Sequence, residues 1–244
     1  MTARTVLIPG GVRGIGRAVA VRCLREGWYV SVCHRRSHED ARTLLEEAGD
    51  HRERLLIEAR DVCDASDRAA IIGATRARFG EIDALVHAAG PFDRGPLLSD
   101  GVSAWRSAYE SNVIPLVALS EALVPAMMEA GWGRVIAFAI AGVERLSPPP
   151  TVAPYVASKA AVLAFVRALA KQVAHAGVTA NAVSPGVIDT GGVDGAVVDT
   201  QREKIPMRRV GTPDEAAFAV CSLLAEDAGY ITGANIEVAG GWGL

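Results

Sequence analysis

Short runs rich in Val and Ile alternate with longer amphipathic stretches from one end of this chain to the other. Such runs are typical of parallel strands that are buried on both faces, because the helices that connect parallel strands cover the sheet on either side. Strands are predicted at Thr5–Pro9, Trp28–Cys33, Leu55–Arg60, Ala84–His87, Arg134–Ala139, Thr179–Val183 and Asn235–Val238. The alternation therefore predicts an α/β fold with a doubly wound parallel sheet of seven strands.

The stretches between these strands have helical periodicity and end at residues that close helices. Helices are predicted at Ile15–Glu26, Ala41–Ala48, Asp67–Phe79, Val102–Ala130, Tyr155–Ala176 and Pro213–Ala225. Glycines follow five of these stretches, as expected where the residue after a helix adopts a left-handed conformation. These are Gly27, Gly49, Gly80, Gly131 and Gly177. Because the 244 residues contain no repeat and no linker, we expect a single domain over residues 1–244.

Charge and cysteine content narrow the classes of partner. A formal net charge of -3 gives no broad positive field, so we expect neither nucleic acid nor a membrane surface as a partner. The cysteines lie far apart without a C-x-x-C pair, so we expect free thiols, no disulfide framework and no metal site. Neither a signal peptide nor an apolar run approaching the ~18 residues that span a bilayer is evident, and we expect a soluble, cytoplasmic protein.

A glycine-rich turn follows the first predicted strand and opens directly into a helix. Its sequence is Gly10-Gly11-Val12-Arg13-Gly14-Ile15-Gly16. Glycines permit a tight turn and the close approach of the backbone to a pyrophosphate, while the helix N-terminus supplies free N–H donors. Glycine clusters also occur in ordinary strand-to-helix turns, but the first such junction of an α/β pattern favours a dinucleotide site of the Rossmann type.

The spacing G-x-x-x-G-x-G, together with several later motifs, resembles that of the short-chain dehydrogenase/reductase family. The later motifs are Asp61, His87-Ala88-Ala89-Gly90, Asn112, Tyr155-x-x-x-Lys159, Ser184-Pro185-Gly186 to Thr190, Ile231-Thr232-Gly233 and Gly240-Gly241. The resemblance spans essentially the whole chain and is greatest to β-ketoacyl-ACP reductases and related ketoreductases. It implies a Rossmann fold and an oxidoreductase that uses a nicotinamide cofactor.

The end of the second predicted strand indicates NADPH in preference to NADH. NAD-dependent Rossmann proteins place an acidic residue there, which binds the ribose hydroxyls and repels a 2′-phosphate. This chain has His34 at that position, followed by Arg35 and Arg36, and Arg13 lies in the glycine turn. Guanidinium groups bind phosphate in a bidentate geometry, so these arginines are predicted to hold the 2′-phosphate. The alternative is that some of them are only solvated surface charges.

The resemblance implies the remaining cofactor contacts. Asp61 would accept a hydrogen bond from the adenine amino group, although an aspartate after a strand can equally cap the next turn. The other cofactor contacts that the resemblance implies are Val62, Ala88, Ala89, Gly90, Pro185, Gly186, Ile188 and Thr190, together with Tyr155 and Lys159.

Tyr155 and Lys159 lie four residues apart and therefore share one face of a helix. Tyr155 is predicted to be the proton donor, with its pKa lowered from about 10 by the Lys159 ammonium and by an oxidised nicotinamide ring. The resemblance implies that Lys159 also holds the nicotinamide ribose and that Asn112 anchors a water in a proton relay. His87 stands where the family has a structural Asn, so we interpret it as a backbone-positioning residue.

The serine that the family places after the fifth strand, where it hydrogen-bonds the substrate oxygen, is missing. Counting from the strand puts it at Ile140, and counting back from the tyrosine puts it at Gly142. No residue from Val135 to Leu146 carries a hydroxyl, and the first that does is Ser147. Losing one preorganised donor to an oxyanion costs roughly 3 to 4 kcal/mol. Three explanations stay open: Ser147 or His87 replaces the donor, the substrate is a C=N or activated C=C bond that does not need it, or the reductase chemistry is lost.

The loops after strands four, five and six are predicted to form the substrate side of the site. These loops are Pro91–Pro96, Ile140–Thr151 and Val187–Ile205. Phe92, Ile140 and Val143 are predicted to line an apolar pocket for a small molecule, although each can equally pack in the core. The two longest helices are predicted to pack across two-fold axes of a homodimer or homotetramer, unless the monomer buries their apolar faces. A cofactor-binding protein with lost or redirected chemistry, such as an isomerase, a cyclase or a regulator, is the competing class.

Overall fold

The structure, a computed structural model, describes residues 3–98, 101–191, 200 and 202–242. Its strands are β1 (Thr5–Pro9), β2 (Tyr29–His34), β3 (Leu55–Ala59), β4 (Ala84–His87), β5 (Gly133–Phe138), β6 (Val178–Pro185) and β7 (Asn235–Val238). These seven strands form one parallel sheet in the order β3-β2-β1-β4-β5-β6-β7. The predicted doubly wound parallel sheet is confirmed. The strand order reverses between β1 and β4, which creates a crevice at the carboxyl ends of these two strands.

Helices connect the strands at nearly the predicted positions. In the described residues they are α1 (Gly14–Arg25), α2 (His38–Ala48), α3 (Ala65–Phe79), α4 (Gly101–Asn112), α5 (Ile114–Glu129), α6 (Ala153–Val173) and α7 (Pro213–Leu224). All five predicted capping glycines have positive φ angles, from 51° at Gly49 to 95° at Gly27. Helix α3 begins earlier than predicted because the Asp64 carboxylate accepts hydrogen bonds from the N–H groups of Ser66 and Asp67.

The predicted helix Val102–Ala130 is wrong as a single element, because α4 and α5 are separate helices on either side of Val113. Pro115 lies in the first turn of α5. A proline there has no N–H to continue the α4 ladder, and its ring crowds the carbonyl four residues before it. The break places Asn112 at the last position of α4.

Alternate residues of the central strand pack on opposite faces of the sheet. Val6 and Ile8 lie in a core cluster with residues of α1, α2 and α7, whereas Leu7 lies in a second cluster with residues of α3, α5 and α6. All three are fully buried. This period of two, with apolar residues on both faces, explains why the strands are continuous apolar runs in the sequence.

Two helical stretches, Gly101–Glu129 and Pro150–Ala176, are long and apolar enough by length and composition to cross a bilayer, with a mean hydropathy of 1.4 each. This differs from the expectation that no such stretch exists. Both stretches supply core residues, since Leu116, Leu119 and Val166 are fully buried against the sheet. The apolar character of these helices is therefore explained by their packing in the Rossmann fold.

Candidate active site

The glycine turn lies at the reversal point of the sheet, where β1 and β4 end. Gly10 has φ +79°, and a Cβ atom there would lie 2.8 Å from the Ala89 nitrogen and 2.9 Å from the Ala88 oxygen. A Cβ atom at Gly16 would lie 2.5 Å from the Gly10 oxygen. Side chains are thus excluded by backbone atoms. Arg13 is the N-cap of α1 without a side-chain cap, so the first-turn N–H groups of α1 fit a pyrophosphate.

The segment after β6 lies beside this turn, as predicted for a cofactor-binding strand end. A Cβ atom at Gly14 would lie 3.3 Å from Thr190 Cγ2. The Gly186 N–H donates to the Val238 oxygen at 3.0 Å, and Ile188 pairs with Gly211 in an isolated bridge. The segment is therefore held by β7 and by the residues before α7. Residues 192–199 and 201 of the predicted substrate loop lie outside the described residues.

The end of β2 forms a cationic corner of the crevice. His34 is 7% exposed and its Nδ1 has no partner among the described residues, and burial, followed by the nearby His38, lowers its pKa. The Arg35 guanidinium lies 3.7 Å from an Asp61 carboxylate oxygen. Arg13 and Arg36 make no hydrogen bond or ion pair within the described ranges. Two unpaired guanidinium groups are therefore available to an anion here.

Asp61 and Val62 accept hydrogen bonds from residues close to them in the sequence. One Asp61 carboxylate oxygen accepts from the Cys63 N–H at 3.0 Å, which is the turn-capping alternative. The Val62 side chain is buried in the core, and its carbonyl accepts from Arg68 at 2.7 Å. The adenine contacts of both residues stay predictions.

Lys159 and Tyr155 share one face of α6, and both are affected by burial. The Lys159 ammonium donates to the Phe138 carbonyl at 2.9 Å and lies 5.6 Å from the Tyr155 ring centroid. Burial lowers the pKa of Lys159 to about 8 and raises the pKa of Tyr155 to about 12. Burial is the cause of the raised pKa of Tyr155 in the chain without a cofactor. Tyr155 is consequently protonated at neutral pH, as a proton donor must be. The predicted lowering also requires the oxidised nicotinamide ring and stays a prediction.

Asn112 and His87 lie beside Lys159 in a buried polar cluster. The Asn112 amide donates to the Ala108 carbonyl at 3.0 Å, while its Oδ1 has no partner in the described part of the chain. A Cβ atom at Gly90 would overlap that Oδ1. His87 is 2% exposed, and burial, with the Lys159 charge, lowers its pKa to about 3. His87 is therefore a neutral, buried ring, and neither of its nitrogens has a partner among the described residues. Its backbone-positioning role stays a prediction.

A cavity of about 430 Å³ borders Tyr155 and Asn112. The loop between Pro91 and Leu97, helix α4 and the residues just before α6 form its walls. The Phe92 ring meets the Tyr155 ring edge-on, with the centroids 4.8 Å apart. The cavity is thus next to the predicted proton donor, on the side of the crevice where a substrate was expected.

The other two predicted substrate contacts differ in exposure. Ile140 is partly buried and packs against the core, and Val143 is 1% exposed within the core. Burial favours the packing alternative for Val143. Sequence reasoning missed two hydroxyl residues that line the cavity, Ser103 and Ser107, and it placed Thr151 at the end of a substrate loop without assigning it a role. The spacing of Thr151, four residues before Tyr155, was the available signal.

The profile of the enoyl-(acyl carrier protein) reductase family matches residues 10–243. This chain belongs to the short-chain dehydrogenase/reductase family. The 3-oxoacyl-[acyl-carrier-protein] reductase FabG of Salmonella typhimurium is 33% identical over 242 residues, which are 98% of this chain and 96% of that protein. The 2-dehydro-3-deoxy-L-rhamnonate dehydrogenase (NAD(+)) of a Sphingomonas species is 32% identical over 243 residues, which are 98% of this chain and 94% of that protein.

A solved structure of a variant actinorhodin polyketide ketoreductase with NADPH has the same fold. It superposes with a TM-score of 0.90 at 29% identity and covers 99% of this chain and 97% of that one. These relatives confirm the predicted family, its Rossmann fold and its nicotinamide chemistry. This short-chain dehydrogenase/reductase is therefore an NAD(P)-dependent oxidoreductase, and the NADPH complex agrees with the cofactor predicted from the sequence.

Proposed function

We propose that this enzyme uses NADPH to reduce a C=O, C=N or activated C=C bond of a small, fairly apolar substrate, with Tyr155 as the proton donor. The observation that carries the proposal is the position of Tyr155, which borders the cavity and lies one helical turn from the buried Lys159. The unpaired Arg13 and Arg36, with no carboxylate at the end of β2, support NADPH over NADH.

Each of the predicted site residues has its own role in the proposed reaction. NADPH, when bound, supplies the hydride. The N–H groups after Arg13 hold the pyrophosphate, and the glycines of the turn let the backbone approach it. Tyr155 gives its hydroxyl proton to the substrate atom that gains charge. Lys159 lies beneath the tyrosine ring, and the free Oδ1 of Asn112 accepts a hydrogen bond from a water that returns protons from solvent.

We also propose that the enzyme forms a homodimer or homotetramer and is cytoplasmic. Helix α4 exposes large apolar side chains that the monomer does not cover. Val102 is 73% exposed, Trp105 39% and Tyr109 38%. A second copy that packs on this helix would bury them.

The first test titrates NADPH and NADH side by side and then follows NADPH oxidation with ketones, cyclic imines and enones. We expect tighter NADPH binding and turnover of one bond class. Tyr155→Phe should lower kcat by roughly 10²- to 10⁴-fold while NADPH affinity is retained, because only the proton donor is lost. Tyr230→Phe is the matched control, since Tyr230 is fully exposed.

Two results would contradict the proposal. One is full activity of Tyr155→Phe. The other is a wild-type enzyme that binds NADPH but oxidises it with none of the three substrate classes, which would favour the competing class of family members with lost or redirected chemistry.

A further inference from the structure

We propose that Thr151 donates the hydrogen bond that aligns the substrate with Tyr155, and that the substrate presents a carbonyl oxygen to these two hydroxyls. The inference rests on the proposed function and narrows it. Thr151 would replace the missing serine hydroxyl of the family. Neither Ile140 nor Gly142, the two positions predicted for that serine, carries a hydroxyl.

The other candidate donors do not reach the cavity. Ser147 is absent from the residues that line it. His87 is also absent from that lining. The Gly142 N–H donates to the Glu237 carboxylate at 2.8 Å and is therefore already used. The donor must come from another segment of the chain.

Thr151 lies in a short 3-10 turn, Pro150–Val152, that runs directly into α6 at Ala153. Thr151 precedes Tyr155 by four residues, and Val152 between them has φ -129° and ψ 12° as the N-cap of α6. The short connection holds Thr151 close to the first turn of the helix that carries Tyr155. Both Thr151 and Tyr155 line the cavity.

The backbone of Thr151 is fixed, whereas its hydroxyl is free. Its carbonyl accepts from the Gly95 N–H at 3.0 Å, which ties the 3-10 turn to the loop on the opposite wall of the cavity. In the ranges that the structure describes, the Thr151 hydroxyl has no hydrogen-bond partner. A held backbone with an unused donor is the arrangement that preorganised stabilisation of an oxyanion requires.

Ser103 and Ser107 are the competing hydroxyl residues in the same cavity, and both lie on α4. Ser103 already interacts with another group. Thr151, in contrast, belongs to the segment that leads into α6, four residues before the proton donor. Two hydroxyl donors suit a carbonyl oxygen, which has two lone pairs, and do not suit an iminium nitrogen, which has none. This difference favours a ketone or an enone, both of which have a carbonyl oxygen, over an iminium.

The test compares Thr151→Val, which removes the hydroxyl, with Thr151→Ser, which keeps it, on the ketone or enone that the wild-type enzyme reduces best. We expect Thr151→Val to lower kcat/KM by roughly 100- to 1000-fold with unchanged NADPH affinity. Thr151→Ser should stay within roughly 3-fold of the wild type because it retains the donor. Ser222→Ala is the matched control and should keep wild-type kcat/KM, because it also removes an exposed hydroxyl but lies on α7 and does not line the cavity. Thr151 is exposed, so the substitutions leave the core intact.

The outcomes separate this inference from the proposed function. Wild-type rates in Thr151→Val, alongside an inactive Tyr155→Phe, would overturn the role of Thr151 and leave the proposed function standing. Loss of NADPH binding in Thr151→Val would also overturn it, because the threonine would then be structural. Turnover of imines without ketones or enones would overturn the substrate class alone, and NADPH binding without any turnover would overturn both proposals.

Discussion

The two ends of the crevice are built from different parts of the chain. At the glycine turn the crevice is lined by backbone, and Gly10 and Gly16 lie so close to other backbone atoms that no side chain fits. At the Tyr155 end the crevice is lined by side chains, and Lys159 and Asn112 are buried with few partners. The glycine turn has no room for an added side-chain atom. The Tyr155 end keeps buried polar groups, which lower the free energy of unfolding. The predictions below test that difference.

The largest effect is expected at the backbone end. Gly16→Ala places a Cβ atom 2.5 Å from the Gly10 oxygen, so the turn must shift. Because displacements of about 1 Å at a positioned site cost on the order of 100-fold, NADPH affinity should fall by at least that factor. Fluorescence titration measures the Kd, and circular dichroism checks the fold.

The matched control is Gly73→Ala. Gly73 lies inside α3, and a Cβ atom there meets nothing within 4 Å. This variant should gain about 0.5 to 1 kcal/mol of stability and keep its NADPH affinity. Equal NADPH affinity in Gly16→Ala and Gly73→Ala would refute the backbone argument.

A smaller effect, with a characteristic pH dependence, is expected at the side-chain end. Lys159→Met should abolish turnover but raise the free energy of unfolding at pH 7 by about 1 to 3 kcal/mol, because a buried ammonium is removed. Burial lowers the pKa of Lys159 from 10.5 to about 8. Between those values the unfolded chain holds more protons than the folded one, so wild-type stability rises with pH there. The gain in Lys159→Met should therefore shrink from pH 8 towards pH 10.

Denaturant unfolding at pH 7 and pH 10 checks this prediction. Lys171→Met, at an exposed position of the same helix, is the control and should change stability little at either pH. A gain in Lys159→Met that is the same at both pH values would show that packing, and not charge burial, is responsible.

The smallest effect sharpens the assignment of the cofactor. Arg36→Ala should raise the Kd for NADPH by roughly 10-fold, equivalent to about 1.4 kcal/mol, through loss of a charge-assisted hydrogen bond. NADH affinity should not change. Arg35→Ala is expected to have a smaller effect, since Arg35 already faces Asp61. Equal weakening of NADPH and NADH in Arg36→Ala would argue against a 2′-phosphate contact.

Local patterns predicted the sheet with accuracy. The bounds of β1, β4 and β7 agree residue for residue with the structure, and the other strands differ by one or two residues at their ends. Strand ends are set by the last shared hydrogen bonds, which depend on the neighbouring strand. The break at Val113 was missed because Pro115 is compatible both with an interrupted helix and with the first turn of a new one.

The sequence by itself determined the order of the elements, the glycine turn, the cationic end of β2 and the pairing of Tyr155 with Lys159, because each depends on residues within a few positions of one another. The tertiary structure decided that Tyr155 has a raised pKa, that Val143 packs in the core and that Thr151 lines the cavity. Desolvation and cavity shape depend on every segment that packs around a group. Here those segments are the loop after β4, helix α4 and the start of α6, which only the folded chain brings together.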